Sequence, residues 1–310
     1  MLLQNKRIIN REDVGMKWSA SVLSLLKKII IAVVISFTCI AAVRIDPAEA
    51  IQSDDQDQTV FHADVFAQGN PVGASLITGA FRRWDVTNDP EISLPASYKQ
   101  AGAMLGINPA YVQASFYGEW KPALFAQVRL QYDFYGFFGT NGALLSFPSS
   151  DSKYGKNEID ALSGKEESSS GHRLLVQPVF TGKIGPVIVR NTTDLGYYLF
   201  DCQGPYFYEY EYDTLLKDGD MLVNNSTAFL LEAWKGTNYG MLLAGPFYEV
   251  THAVDAEITR QRAGLQYYWL PAKTLWGVNK PRIYGQVGMN LQDRNRDNEA
   301  FFKAGVGFDF

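Results

Sequence analysis

The sequence predicts an all-β fold, a closed antiparallel transmembrane β-barrel of ten strands behind a cleaved N-terminal leader, with twelve strands as the alternative count. Three observations predict it. An uncharged apolar run near the start has the layout of an export leader, the last residues alternate with a period of two, and the same alternation recurs along the interior. Composition narrows the field. A chain of 310 residues with 46% hydrophobic and 20% charged residues, two cysteines and a net charge of −5 is not a disulfide scaffold, a basic nucleic-acid binder or a disordered chain. A mean hydropathy of −0.13 argues against a bundle of membrane helices, each of which needs about 20 apolar residues in a row.

The leader comes first. Ile29 to Val43 carry no charge, Lys27 and Lys28 precede them, and Ala48-Glu49-Ala50 offers a small-x-small cleavage site before Ile51. The run is shorter than the roughly 20 residues that a retained helical anchor requires. Residues 1–50 are therefore read as a signal peptide, with Met16 a more conventional start than Met1. Its removal takes away seven Lys/Arg and four Asp/Glu and moves the net charge from −5 to −8. Cys39 leaves with the leader, and Cys202 remains as a lone thiol on an oxidising route. Residues 51–73 open on the acidic stretch IQSDDQDQ and are read as an N-terminal segment ahead of the barrel, or as a partial plug.

The barrel is assigned to 74–310. Its clearest strand runs from Leu124 to Phe138, where Ala126, Val128, Leu130, Tyr132 and Phe134 oppose Gln127, Arg129, Gln131, Asp133 and Tyr135. Before it, Val112, Ala114, Phe116 and Trp120 oppose Gln113, Ser115, Tyr117 and Glu119. Further on, Val187, Val189, Leu195, Tyr197 and Leu199 oppose Arg190, Thr192, Asp194 and Tyr198. Ala263, Leu265, Tyr267 and Trp269 oppose Arg260, Arg262 and Gln266, and Ile283, Val287, Met289 and Leu291 oppose Arg282, Tyr284, Gln286 and Asn290. Less regular candidates lie at 74–86, 174–183, 221–235 and 239–251. Periodicity alone also fits a soluble sandwich. Two features favour a membrane: the polar faces are rich in Arg, Gln and Tyr, as a wet lumen needs, and Trp84, Trp120, Tyr197, Tyr198, Trp234, Tyr239, Trp269 and Phe310 stand near strand ends as an interfacial girdle. Open sheet edges cannot sit in lipid, so the strands must close.

Short connections at 120–122, 183–186, 235–238 and 276–281 alternate with long ones near 88–110, 139–172, 201–220, 252–258 and 293–298. That gives ten strands. Counting Tyr206 to Leu216 as a further strand gives the alternative of twelve. Ala96 to Leu105 is read as a short helix in its loop, and the Ser/Gly-rich loop 139–172 as poorly ordered.

The last strand is the most specific. Phe302, Ala304, Val306, Phe308 and Phe310 share one face, with Phe301, Lys303, Gly305, Gly307 and Asp309 on the other. It resembles the terminal strand of bacterial outer-membrane β-barrel proteins, whose assembly signal reads polar-x-Gly-x-x-aromatic-x-aromatic. Lys303, Gly305, Phe308 and Phe310 fill the four positions. The resemblance implies a bacterial outer-membrane location, with the 51–73 segment and the short turns in the periplasm. It also implies contact with outer-membrane lipids and lipopolysaccharide, and recognition by the barrel-assembly machinery through the last strand.

Function is read from the lumen. Glu119, Arg129, Asp133, Arg190, Asp194, Arg260, Arg262, Arg282 and Lys303 form the expected inward charged set. Paired across neighbouring strands they hold a barrel shut, and unpaired they line a narrow channel. The reading is a small porin or narrow passive channel, with a structural or surface-interaction barrel as the alternative. Outer-membrane proteases of the omptin type share the ten-strand count and use rim carboxylates with an Asp/His pair. Here His252 has Asp255 near it, and Asp85 and Asp89 end the first strand on the same rim, but Val250-Thr251-His252 stands where a close Asp-x-His is needed. No catalytic residue, metal site, cofactor or nucleic-acid groove is assigned.

Overall fold

A computed structural model describes residues 57–88, 95–236, 240–272 and 281–309. The proposed leader at 1–50, Asp89, Tyr239 and Phe310 lie outside the described residues. Twelve antiparallel strands close into one barrel. In chain order they are β1 (Gln58–Gly69), β2 (Gly73–Asn88), β3 (Pro95–Ile107), β4 (Tyr111–Ala123), β5 (Ala126–Phe137), β7 (Ser170–Ile184), β8 (Val187–Phe200), β11 (Met221–Gly236), β12 (Gly240–Ala253), β13 (Ile258–Leu270), β14 (Arg282–Gln292) and β15 (Ala300–Asp309). Each barrel strand pairs with its neighbour in sequence, and β1 pairs with β15 to close the ring.

The count of ten is thus corrected to twelve, and the two added strands are not the one that the alternative count used. Strand β1 lies inside the segment read as a lead-in. Its inward face carries His62, Asp64 and Gln68, so the acidic, polar stretch hides a weak outward row of Phe61, Val65 and Ala67. Strand β3 lies inside the connection read as a loop with a short helix. Ala101, Gly102, Ala103 and Gly106 give it little contrast between faces, and small residues beside Met104 and Leu105 imitate a helical pattern. Tyr206 to Leu216 does not join the ring. It forms β9 (Tyr206–Glu209) and β10 (Thr214–Lys217), a hairpin that pairs with β6 (Ser146–Phe147) in a separate three-stranded sheet. The 139–172 loop is likewise a built element. It supplies β6 and a short helix α1 (Lys156–Ala161), and its Tyr154 is buried.

The side-chain pattern is inverted relative to a water-soluble barrel. Phe116, Leu130, Phe180, Phe229, Leu265, Val287 and Phe302 stand exposed on the outer surface, while Gln113, Ser115, Glu119, Asp133, Arg173, Asp194 and Arg260 are buried inside. Such a broad apolar exterior belongs in lipid, and closure leaves no strand edge unpaired there. Tyr198, placed in the girdle on sequence grounds, points inward and is buried. A polar island interrupts the exterior. On β8 and β11, Asn191 donates to Asn225 Oδ1 at 3.1 Å and to Thr227 Oγ1 at 2.8 Å, and Asn225 donates to Thr193 Oγ1 at 2.7 Å. These groups satisfy one another, which is how polar side chains remain tolerable beside hydrocarbon.

The seam where the ring closes is tied by side chains as well as backbone. His62 on β1 lies 2.9 Å from Asp309 and 3.0 Å from Asp64, and Arg282 on β14 reaches Asp309 at 2.9 Å and Asp64 at 3.3 Å. Tyr284 donates to Asp64 at 2.9 Å. Gly305 is what makes room for it, since a Cβ there would meet Tyr284 Cζ at 2.4 Å. Gly305→Val should therefore lower resistance to unfolding by about 1–3 kcal/mol through overpacking. The heat-dependent gel-mobility shift would show this as an earlier midpoint, and adding Tyr284→Ala should restore much of it.

Candidate functional site

The functional question is what occupies the bore. The strands alternate in direction, so the connections 70–72, 108–110, 138–169, 201–220, 254–257 and 293–299 share one end of the barrel. The free ends of β1 and β15 lie at the other. The first end is capped. Leu144, Leu145, Phe147 and Tyr154 from one loop and Phe207, Tyr208, Leu215 and Leu216 from another form a buried cluster with wall residues Tyr111, Tyr135, Tyr198 and Phe200. Ring contacts join the wall aromatics to the hairpin, with Phe200 and Phe207 stacked at 4.9 Å.

The tip of the β9–β10 hairpin, Glu209 to Asp213, reaches below this cluster. Glu211 takes hydrogen bonds from Tyr111 on β4 at 3.2 Å and from Arg173 on β7 at 2.5 Å. Tyr212 donates to Asp194 on β8 at 2.9 Å, and its carbonyl accepts from Arg260 on β13. Tyr210 donates to Val72 O in the β1–β2 turn at 2.8 Å. Strands β4 and β13 are well separated in the ring order. A five-residue tip that touches both must lie within the bore. Asp213 makes the turn in the left-handed region, with φ of 51°, a conformation Asp tolerates better than most residues.

Buried ion pairs fasten the tip to the wall. Asp133 is fully buried and accepts from Gln113, Ser115 and Gln131 as well as from Arg173 Nε at 2.7 Å. Arg173 thereby bridges the wall carboxylate Asp133 and the tip carboxylate Glu211. On the far side, Asp213 accepts from Arg296 at 2.6 Å and lies 3.8 Å from Arg260, which also pairs with Asp293 at 3.1 Å. Burial and the adjacent Glu211 push the Glu209 carboxyl up to about 8 from an ordinary value of 4.5. Burial pushes the Cys202 thiol up to about 11, with Glu167, Asp218 and Asp201 adding to it. That thiol donates to Gly204 O at 3.3 Å and is protonated at neutral pH.

The nine sequence-assigned lumen residues fall into distinct settings. Asp133, Asp194 and Arg260 belong to the cap anchorage. Glu119 pairs with Arg129 at 2.6 Å, Glu249 with Arg262 at 2.5 Å, and Arg282 with the seam carboxylates. Lys303 is placed over the Phe66 ring at 4.5 Å. Arg190 makes no ion pair or hydrogen bond among the described residues. Of the terminal pattern, Lys303 and Gly305 lie on the inward row and Phe308 on the outward one. Arg173, Glu211, Asp213 and Arg296 were missed. Arg173 falls just ahead of the irregular 174–183 candidate, between it and the 139–172 loop, and the other three lie in connections where no alternation marks an inward face.

Asp85 and His252, expected on one rim, lie at opposite ends of the barrel. Asp85 pairs with Lys99 at 2.9 Å near the end of β2, on the side of the barrel opposite the cap. His252 is at the capped end of β12 and bonds the outward-facing Thr259 at 2.9 Å. Among the described residues, no three His, Cys, Asp or Glu side chains converge as a metal-holding group.

No family model matches the chain, and no curated protein sequence does. Several solved structures are similar in outline. The β domain of the Bordetella autotransporter BrkA matches with a TM-score of 0.44 at 12% identity, covering 82% of this chain and 99% of that one. An outer-membrane channel from Pseudomonas putida F1 matches with a TM-score of 0.43 at 8% identity, covering 86% and 100%. OmpT of Vibrio cholerae, folded in vitro, matches with a TM-score of 0.35 at 10% identity, covering 84% and 100%.

Proposed function

We propose that this chain is a bacterial outer-membrane β-barrel of the narrow-passage type, held shut by a cap made of its own loops. The observation that carries the reading is the Glu209–Asp213 tip, which is bonded to β4, β7, β8 and β13. A purely structural barrel can fill its bore with wall side chains alone. Here the obstruction is a separate hairpin that packs on the upper wall, and the wall beneath it is polar, with Gln113, Gln131, Asn224 and Gln266 facing inward. Such an element can leave without dismantling the ring. The apolar exterior and the terminal-strand pattern support the location, and the capped end is read as the cell-surface side.

Planar-bilayer recording tests this. The intact protein should show little steady conductance, whereas replacing residues 206–217 with a short Gly-Ser link should give stable small steps. If the trimmed barrel assembles, as judged by its heat-dependent gel shift, yet stays silent, the passage reading fails and a structural or surface-presenting barrel stands in its place.

A further inference from the structure

The seam where β1 meets β15 gathers four charged or titratable side chains and one phenol on the inward face. His62 on β1 has Asp309 Oδ1 of β15 at 2.9 Å from Nδ1 and Asp64 Oδ2 of its own strand at 3.0 Å from Nε2. Arg282 on β14 reaches Asp309 Oδ1 at 2.9 Å and Asp64 Oδ2 at 3.3 Å, and its Nη2 lies 3.0 Å from His62 Nδ1. Tyr284 on β14 donates to the other oxygen of Asp64. On the far side of β1, β2 sets Gly79 against His62, and the next charge along that inward row is Arg83, opposite Gln58. Lys303 on β15 stands toward the cap, opposite Gln68. The side chains of His62, Asp64 and Asp309 are 19, 15 and 22% exposed, so the group is largely shielded but still open to the bore.

Both imidazole nitrogens therefore face a carboxylate oxygen. A neutral imidazole has one N–H and one lone pair, so either tautomer turns a lone pair toward an anion. With the proton on Nε2, Nδ1 can accept from Arg282, but Asp309 Oδ1 then lies 2.9 Å from that same lone pair. The imidazolium alone donates to both carboxylates. Charge balance points the same way: two shielded carboxylates share one guanidinium, and a positive His62 supplies the second cation. We propose that the seam is a proton-operated clasp, in which His62 holds Asp64 and Asp309 as an imidazolium and loosens the β1–β15 junction when it gives up its proton. In an open seam a histidine loses its proton near the ordinary value of about 6.5. Closure that calls for the charged form takes up a proton, so the contribution of the clasp is complete below that value and fades as the pH climbs past it. It holds whether or not the bore conducts.

Two measurements on the folded full-length protein in detergent test it. The chain has three histidines, His62, His172 and His252. With 15N-labelled histidine, His172→Gln and His252→Gln assign the imidazole signals by elimination, so no change at the seam is needed. At about pH 7.5 both ring nitrogens of His62 should still read as protonated, and a neutral His62 imidazole there overturns the clasp. The second measurement is the rate at which the folded gel band is lost at fixed temperature. Between pH 6 and pH 8.5 this rate should rise at least about five-fold, since less than one unit of differential proton affinity is enough to produce that change. His62→Gln cannot change charge, so most of that rise should disappear and the rate should stay near the fast, alkaline one. A His62→Gln protein that keeps the full pH dependence places the proton elsewhere and defeats the proposal. The pH response of Glu209 is present in both proteins, so the difference between them belongs to His62.

Discussion

Replacing Arg173 with methionine should cost about 3–5 kcal/mol of stability, the range seen when one partner of a buried ion pair is removed. The reason lies in what stays behind. Among the described residues, the fully buried Asp133 would keep three neutral donors while losing its one cation, and Glu211 would keep Tyr111 alone. Guanidinium unfolding in detergent, followed by tryptophan fluorescence, should show the drop. Arg173→Met combined with Asp133→Asn should recover a large part of it, because the stranded charge is gone. The exposed pair of Lys156 and Asp160 on α1 is the contrast: Lys156→Met should change stability by no more than about 0.5 kcal/mol. If Arg173→Met were equally mild, the idea that ion pairs fasten the cap would be wrong.

The cap should also loosen as the solution turns alkaline. Glu209 is buried, accepts from the Tyr212 backbone N–H at 2.7 Å, and is raised to about 8 by burial and by Glu211, against which Arg173 acts in the opposite direction. A carboxyl with a higher pKa in the closed state than in the released state takes up a proton on closing. The closed state is then favoured most at and below the ordinary value of 4.5, loses stability as the pH climbs toward about 8, and changes little beyond. Limited proteolysis within 206–217 should accordingly be slow at pH 5 and faster at pH 9. Glu209→Gln, which imitates the protonated acid, should remain resistant at both. A pH dependence that survives this substitution unchanged would place its source elsewhere.

The fold class was legible because lipid imposes a strict rule on side chains. Where a strand meets hydrocarbon outside and water inside, as from Ala126 to Phe137, the two rows differ sharply and the sequence shows it. Strands β1 and β3 escaped because their rows differ less. One has titratable residues tying the seam, and the other has glycine and alanine. The cap was harder still. Its residues pack as a small globular core, so Phe207, Leu215 and Leu216 carry no period of two that refers to the barrel. The charged lumen set was read from strand parity, and most of its members pair within the wall, but the groups that tie it to the cap come from connections. Arg296 and Glu211 lie in loops, and nothing local to them announces that they fold back into the bore.

The seam between β1 and β15 has a kinetic meaning as well. It joins residues 247 positions apart, such as His62 and Asp309, whereas every other pairing in the ring links strands that follow one another along the chain. The neighbouring hairpins can form locally, but this junction must wait until the ends of an almost complete sheet meet. Ring closure is then the slow, entropy-limited event of assembly. The contacts that reach across from β1, His62 to Asp309 and Asp64 to Arg282, act as a latch that engages only when β1 meets the β14–β15 end of the sheet.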